Sequence, residues 1–522
     1  MSGQNIDLSI LGPGIFRDTT EYATGSKWFD GNQVRWHNNS LTPIGGWIRW
    51  YDDQANVSNK QIRDAFSWRD YNKVPALALG SADNLVTIVI TQDLGNPSNT
   101  IKTYYDITPD DLVSSVEPRH GFGAGLFGSG LFGAETSVAV DPDAEGQWSM
   151  DNWGRTLLAV HNQDGRLFQW DPFNPLVDAE PVLNAPDQNS LVITTDEEFC
   201  MLFGGRGNPN RIQWCSRRNI NDWTATEANS AGGFELQSQG SIIAAQKVQG
   251  GILVLTGTDV HIVEYVGPPN YYARRRLTNE SGIISKNAIA SMGNGALWVG
   301  KDEFWIYDGN VSRFPCSVHS DVFTESNFSL PSRCFMGINE GHDEIWFFYP
   351  HTGSNKPDQY VAYGFGNVPY WTVGKDMVRT FFHTPVFSKV PLAAIDRIIY
   401  QHETGWLADG ASRNGQVYAV SGALELGGGD KLMRVDRFYQ DNSRSYVGDV
   451  NSGPLPYTVT FELRNSPNAA PRTIGPVTLN ATKGYTGIRF RARQAALRID
   501  QVVDGNWSLG KPRLRARPGG NR

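Results

Sequence analysis

The pattern of apolar and polar positions is simplest between residues 251 and 315, where one unit occurs twice. GILVLTGTDVHIVEYVG occupies residues 251–267 and GALWVGKDEFWIYDGNVSRFP residues 295–315. Each copy has a short apolar run (252–255; 296–299), a tight polar turn, then an alternating segment ending in an aromatic (261–265; 303–307). Runs bounded by Gly and Asp and rich in β-branched and aromatic residues predict strands rather than helices. An unalternated strand followed by an alternating one predicts a buried strand paired to a more exposed one. The two units read as neighbouring blades of a β-propeller.

The same unit recurs along most of the chain. IRDAFSW, ALALG, NLVTIVI and TIKTYYDITP, from residue 61 onward, supply four short strands of a first blade. WSMDNWGRTLLAVHNQDGRLFQWDPF (148–173) turns at Asp164-Gly165, and FCMLFGG (199–205) with RIQWCS and DWT turns at Asn208-Pro209. Beyond the two opening copies, DEIWFFYP and QYVAYGFGNVPYWTV make a further unit, and AAIDRIIYQHETGW with GQVYAV (393–420) completes another. The spacing lies in the ~40–50 residue range of propeller blades and predicts about seven. The best helical candidate is a turn or two around residues 110–116.

The ends differ from the middle. Residues 1–50 read as an arm, extended through the Gly-Pro-Gly of LSILGPGIFRD. KWFDGNQVRWHNNSLTPIGGW (27–47) predicts a hairpin turning at Asp30-Gly31, held down by Trp28, Trp36 and Trp47. A strand from this arm is expected to complete the last blade and so remove an open sheet edge. After the glycines at 427–429 the strands lengthen: MRVDRFYQD, YTVTFELRN, RTIGPVTLN, TGIRFRARQAALRID and NWSLGKPRLRARP. The predicted fold is therefore all-β, with a propeller over 51–423 and an antiparallel β-sandwich-like docking module over 424–522.

A chain of 522 residues is too long for one ordinary domain, and 40% hydrophobic content suffices for a core. The net charge of −8 does not make the whole chain a polyanion binder. No apolar run of ~18 residues and no charged-then-apolar leader occur, so neither membrane span nor secretion is expected. The sequons at Asn56, Asn279 and Asn310 then mean little. Cys200, Cys215, Cys316 and Cys334 show no Cys-x-x-Cys spacing and read as buried thiols.

Candidate chemistry is weak everywhere but in the basic segments. HGFGAGLFGSGLFGAET (120–136) lacks the Lys-Ser/Thr of a phosphate loop and opens no helix, so it reads as an inter-blade or interface loop. Asp141, Asp143 and Glu145 offer oxygens at alternating positions, as Ca²⁺ requires, but the EF-hand pattern is incomplete and an ordinary acidic loop is expected. HNQDGRLF (161–168) shares only its Asp-containing turn with sialidase blades. No carboxylate pair, His-Glu-x-x-His or Ser elbow stands out. No catalytic residue, metal or cofactor is expected, and the chain does not read as an enzyme.

Arg489, Arg491, Arg493, Arg498, Lys511, Arg513, Arg515 and Arg517, with the terminal Arg522, make the last part strongly basic. The spacing of two in RFRAR predicts three arginines on one strand face. Such a face can neutralise DNA phosphates, with salt-dependent affinity. A conduit that gripped every phosphate would stall sliding DNA, which favours a neighbouring subunit or an acidic partner ring as the counterpart. YYARRR (271–276) places Arg274, Arg275 and Arg276 beside two tyrosines. Read as a loop between blades, it predicts arginine–carboxylate pairs at an interface rather than stacking on bases.

Several stretches together resemble structural proteins of short-tailed bacteriophages: GPGIFRD…GSKWFDGNQVRWHNNSLTPIGGW, GFGAGLFGSGLFG, WSMDNWGRTLLAVHNQDGRLFQWDP, GTDVHIVEYVGPPNYYARRRLTNESGIISKNAIASMGNGALWVGKDEFWIYDG and RARQAALRID…NWSLGKPRLRARPGGNR. The chain is similar to the tail nozzle or hub family, akin to packaged-DNA stabilisation proteins. The resemblance implies a propeller-bearing subunit, made in the host cytoplasm and built into the virion tail as a homohexameric ring below the portal and its adaptor. It also implies contact with tail fibres or spikes, and a gated channel that passes double-stranded DNA without reading its sequence. Loops 120–136 or 351–357 are then expected at the gate or the fibres. The alternative reading is a tail depolymerase or glycan-binding spike, whose β-helix repeats usually run to about 20–30 residues. A cytosolic propeller scaffold is a third.

Overall fold

Apolar runs between glycine and aspartate turns form strands throughout the computed structural model, which describes residues 4–7, 11–24, 27–51, 61–92, 100–113, 146–205, 207–428, 431–442, 454–466, 469–480 and 484–519. The arm holds β1 (Gln4–Asp7), α1 (Glu21–Thr24), β2 (Trp28–Asn32), β3 (Val34–His37), β4 (Ser40–Pro43) and β5 (Trp47–Arg49). Seven four-stranded antiparallel sheets follow as propeller blades. The first is β6 (Asp64–Arg69), β7 (Pro75–Gly80), β8 (Leu85–Gln92) and β9 (Thr100–Asp106). The second is β10 (Trp148–Trp153), β11 (Thr156–His161), β12 (Leu167–Trp170) and β13 (Glu180–Pro181). The third is β14 (Leu191–Thr194), β15 (Cys200–Phe203), β16 (Arg211–Trp214) and β17 (Gly232–Glu235).

The opening repeat lies in the next two blades. Blade four is β18 (Ile242–Val248), β19 (Gly251–Thr256), β20 (Val260–Gly267) and β21 (Tyr271–Thr278). Blade five is β22 (Ile289–Met292), β23 (Gly295–Val299), β24 (Phe304–Tyr307) and β25 (Val311–Phe314). The short α2 (His319–Phe323) leads to blade six: β26 (Phe335–Asn339), β27 (Glu344–Tyr349), β28 (Gln359–Gly364) and β29 (Tyr370–Lys375). Blade seven has β30 (Phe381–His383), β31 (Leu392–Ile395) and β32 (Ile398–His402), and β5 pairs with β32 as its fourth strand. This closure from the other end of the chain covers the edge that β32 would expose. The repeated apolar run is the second strand from the axis. Gly251 and Gly295 open it because a Cβ there would lie 2.3 Å from the Val263 carbonyl oxygen and 1.8 Å from that of Tyr307.

The remaining strands are β33 (Tyr418–Ser421), β34 (Leu424–Glu425), β35 (Met433–Tyr439), β36 (Pro454–Arg464), β37 (Arg472–Asn480), β38 (Thr486–Ala492), β39 (Gln494–Gln501) and β40 (Arg513–Pro518). They build two sheets, ordered β1-β40-β35-β38 and β2-β33-β39-β36-β37, with β34 on β39. Their facing side chains, among them Phe438, Tyr457, Phe461, Phe490 and Trp507, share one core with blades five and six. The sandwich is fixed to that side of the ring: Ile15 N–H donates to the Trp371 carbonyl at 2.8 Å, and Trp36 packs edge-on against Tyr370.

Four local expectations are corrected. Asp30-Gly31 is not the hairpin turn; it runs within β2, paired to β33 with a register shift. The turn falls at Asn38-Asn39, whose φ angles of 47° and 63° suit a two-residue hairpin loop. GQVYAV does not complete a blade, since its strand β33 pairs with β2 and β39 in the sandwich. TGIRFRARQAALRID is two strands, β38 and β39, in different sheets with a corner at Arg493. The helical candidate is a turn at residues 110–113, and its remainder lies outside the described residues.

Candidate functional site

The outer face of the β1-β40-β35-β38 sheet is dominated by arginine. Alternation sends Ile488, Phe490, Leu514, Ala516, Met433 and Val435 into the core, so their neighbours point out. Arg489 and Arg491 come from β38, and Arg513, Arg515 and Arg517 from β40. β35 adds Arg434 and, after a bulge between Val435 and Arg437, the side chain of Arg437. The register sets Arg434 opposite both Arg491 and Arg517, and Arg437 opposite Arg515. Like charges directly opposite on neighbouring strands destabilise a sheet.

One carboxylate, Asp436, answers these seven arginines among the described side chains of the face. Arg515 Nε donates to its Oδ1 at 2.7 Å and Nη2 to its Oδ2, while Arg517 stands 3.9 Å away. Hydrogen bonds from Arg515 hold the Asp436 carboxyl below its usual range. The backbone of β1 brings Asp7 to the register position of Arg513 at the sheet edge. Tyr439 and Tyr485 interleave with the cations: Arg437 lies 4.1 Å from the Tyr485 ring centre and Arg513 5.6 Å from that of Tyr439.

The other basic candidates are scattered. Arg493 sits in the corner between sheets, its carbonyl accepting the Leu426 N–H at 2.8 Å. Arg498 is on β39 in the second sheet, where it grips Asp500 through Nε at 2.9 Å and Nη2 at 2.7 Å and lies over Tyr418. Lys511 precedes β40, and its backbone N–H donates to Asp441 at 2.7 Å. Arg274, Arg275 and Arg276 are not in a loop; they lie on β21, the outermost strand of blade four. Arg275 stands 3.8 Å from Glu264 and Arg276 3.6 Å from Asp259, while Arg274 covers the Phe234 ring. An outermost strand is solvated on more than one side, which lets three consecutive arginines stay exposed. Asp141, Asp143, Glu145 and loop 120–136 lie outside the described residues.

Two polar clusters missed in the sequence serve the fold. Arg35, on β3, is buried between Glu344 of blade six and Glu403 beyond blade seven. Its Nε and Nη2 meet Glu344 at 3.0 and 2.9 Å, and its Nη1 and Nη2 meet Glu403 at 2.9 and 2.6 Å. Glu344 also accepts from Trp346 Nε1 at 2.9 Å and Tyr370 Oη at 2.7 Å. Burial pushes the Glu403 carboxyl up, but Arg35 and His342 override this and leave it well below its usual range.

The second cluster lines the propeller axis, a cavity of about 510 Å³ walled by all seven innermost strands. Here Asp64 accepts from the Trp148 N–H at 2.8 Å and from Lys286 at 3.1 Å, and Asp151 accepts from the Thr194 N–H and from Lys247, both at 2.8 Å. Each carboxylate thus satisfies a backbone donor on the next blade's innermost strand, which has no further strand to pair with. Gln147, before blade two, donates to the Ser332 carbonyl, before blade six, at 3.2 Å across one mouth of this cavity.

No protein-family model matches the chain, and no curated protein matches it. Among solved structures it is similar to YCF48 bound to D1 peptide, with 9% identity and a TM-score of 0.37 over 72% of this chain and 97% of that one. It is also similar to a putative exported protein from Bacteroides fragilis, with 10% identity and a TM-score of 0.29 over 49% of this chain and 88% of that one. The propeller assignment stands on the chain's own seven sheets and their closure by β5.

Proposed function

We propose that this chain is a structural virion protein, a subunit of the tail nozzle or hub ring of a short-tailed bacteriophage. In this reading it retains packaged DNA and forms the ejection channel below the portal and adaptor. One observation supports it above the rest: a closed, rigid propeller bears a sandwich whose outer face presents seven arginines against one carboxylate among its described side chains. Such a face works against its own sheet and gains a use when an anionic surface covers it.

The propeller's own hole is not the conduit. A cavity of about 510 Å³ walled closely by seven strands is far smaller than a DNA duplex needs. The channel is instead the axis of a ring of copies, with each propeller as a section of wall. The partners are other copies in a homohexamer, the portal–adaptor ring, tail fibres or spikes, and double-stranded DNA passing without sequence readout. Cryo-electron microscopy of purified particles tests this: six copies are expected directly below the adaptor, and particles lacking the chain should leak DNA. Finding the chain elsewhere in the particle, or only outside it, sinks the reading.

A further inference from the structure

The arginine face has a counterpart on the same chain. Residues 424–522 carry 16 Lys and Arg against 8 Asp and Glu, whereas residues 1–423 carry 30 against 46. Opposite charges are thus sorted into separate parts of one molecule. On blades one and two, the Ala179 N–H donates to the Ile107 carbonyl at 3.0 Å and draws Asp178 up beside Asp106 and Asp110. All three side chains are exposed, and no ion pair to them occurs among the described residues. Burial, then Asp110 and Asp106, push the Asp178 carboxyl above its usual range, the mark of carboxylates lacking a cation. Blade two also exposes apolar side chains: Leu176 is 89% exposed, Leu183 69% and Phe173 55%. Exposed apolar side chains beside unpaired charge suit a contact surface.

We propose that the arginine face of one copy docks on the acidic, apolar rim of blades one and two of a second copy. The proposal rests on the reading of the chain as a ring subunit and names the surfaces that meet. The placement of the two surfaces favours a contact between molecules. The sandwich shares its core with blades four to six and is hydrogen-bonded to blade six, away from blade two, so a second copy is the natural cover for the rim. Two different surfaces that meet across copies make a head-to-tail contact, which repeats from copy to copy and closes when the rotation between copies allows. Tyr439 and Tyr485 supply flat apolar area to meet Leu176 and Leu183, while the guanidiniums set register against the carboxylates. Nucleic acid would account for the arginines alone and would leave the exposed leucines and crowded aspartates without a role.

The test uses the full chain and sedimentation velocity at about 50 and 500 mM NaCl, where the screening length falls severalfold. Assembly is expected at low salt, weakening at least tenfold at high salt. Arg434→Glu with Arg491→Glu should abolish it, as should Asp110→Arg with Asp178→Arg. Mixing the two charge-reversed variants should restore it, because each then offers the surfaces the other needs; a misfolded variant would not be rescued. Wild-type chain that stays monomeric at low salt, or a mixture that fails to assemble although the wild type does, overturns the proposal. So does a wild-type monomer that binds a short DNA duplex through the arginine face. The particle reconstruction separates this from the function above: a tail ring held by other surfaces refutes only the docking, whereas a chain absent from the tail refutes only the function.

Discussion

Replacing Arg35 by Met tests the largest single charge arrangement inside the fold. The guanidinium is 4% exposed and makes four hydrogen bonds to Glu344 and Glu403, whose side chains are 0% and 7% exposed. Removing it leaves two buried carboxylates facing each other, with only the half-exposed His342 beside Glu403, a loss of about 3–5 kcal/mol. Unfolding entropy of ~2.1 cal/mol/K per residue, summed over a chain of this length, is about 1.1 kcal/mol/K. The loss therefore lowers Tm by about 3–5 °C if ring and sandwich melt as one unit, and by more if a smaller unit around the arm melts first. Calorimetry reads both Tm and enthalpy and so distinguishes the two cases. Adding Glu344→Gln and Glu403→Gln to Arg35→Met should recover part of the loss, because the orphaned charges go with it. A Tm for Arg35→Met within about 1 °C of wild type would show that the arm is not fastened through this residue.

Other expectations follow from single sites. Burial holds the imidazoles of His161 and His383 down to about 4, against about 6.5 in the unfolded chain. The unfolded state therefore takes up protons first: stability is full above pH ~6.5 and falls toward pH ~4, by roughly 3 kcal/mol per imidazole. His161→Gln and His383→Gln should each flatten a Tm-against-pH profile in that window, and an unchanged slope would contradict the argument. Gly295→Ala should destabilise by about 1–3 kcal/mol in denaturant titration, because its methyl meets the Tyr307 carbonyl; a neutral result would mean that β23 and β24 are further apart. Deleting residues 1–50 removes β1, β2 and β5 and uncovers the edge of β32, so the product should aggregate in size-exclusion chromatography. A monodisperse truncated chain with wild-type Tm would refute closure by the arm.

Strand identity was legible because Gly and Asp punctuate apolar runs at every blade. Long-range pairing was less so. Asp30-Gly31 is a stronger local turn signal than Asn38-Asn39, yet β2 is held straight by β33, nearly 400 residues away. RFRARQAALRID alternates without a break, and alternation carries no mark of the corner at Arg493 where the chain changes sheets. Five of the seven arginines of the face were readable from spacing in β38 and β40. Arg434 and Arg437 lack that signal: they stand three apart in MRVDRF, and only the bulge brings Asp436 and Arg437 to one side. The Arg35 cluster left no trace at all, since its partners are separated by 309 and 368 residues.

The threading of the chain sets an order on its assembly. β1 pairs with β40, so β1 stays unpaired until Pro518 has been made. β2 and β5 likewise wait for β33 and β32. Contacts of such sequence separation form slowly, because loop closure precedes any gain from pairing. β40 is flanked by β1 and β35, and it supplies three of the seven arginines. The arginine face is therefore incomplete until β40 has been made and has paired with β35. A partial chain with folded blades already carries the acidic rim of blades one and two but has no arginine face to offer. Proposed docking through that face is thereby confined to subunits in which β40 is in place, without any separate device to hold back the others.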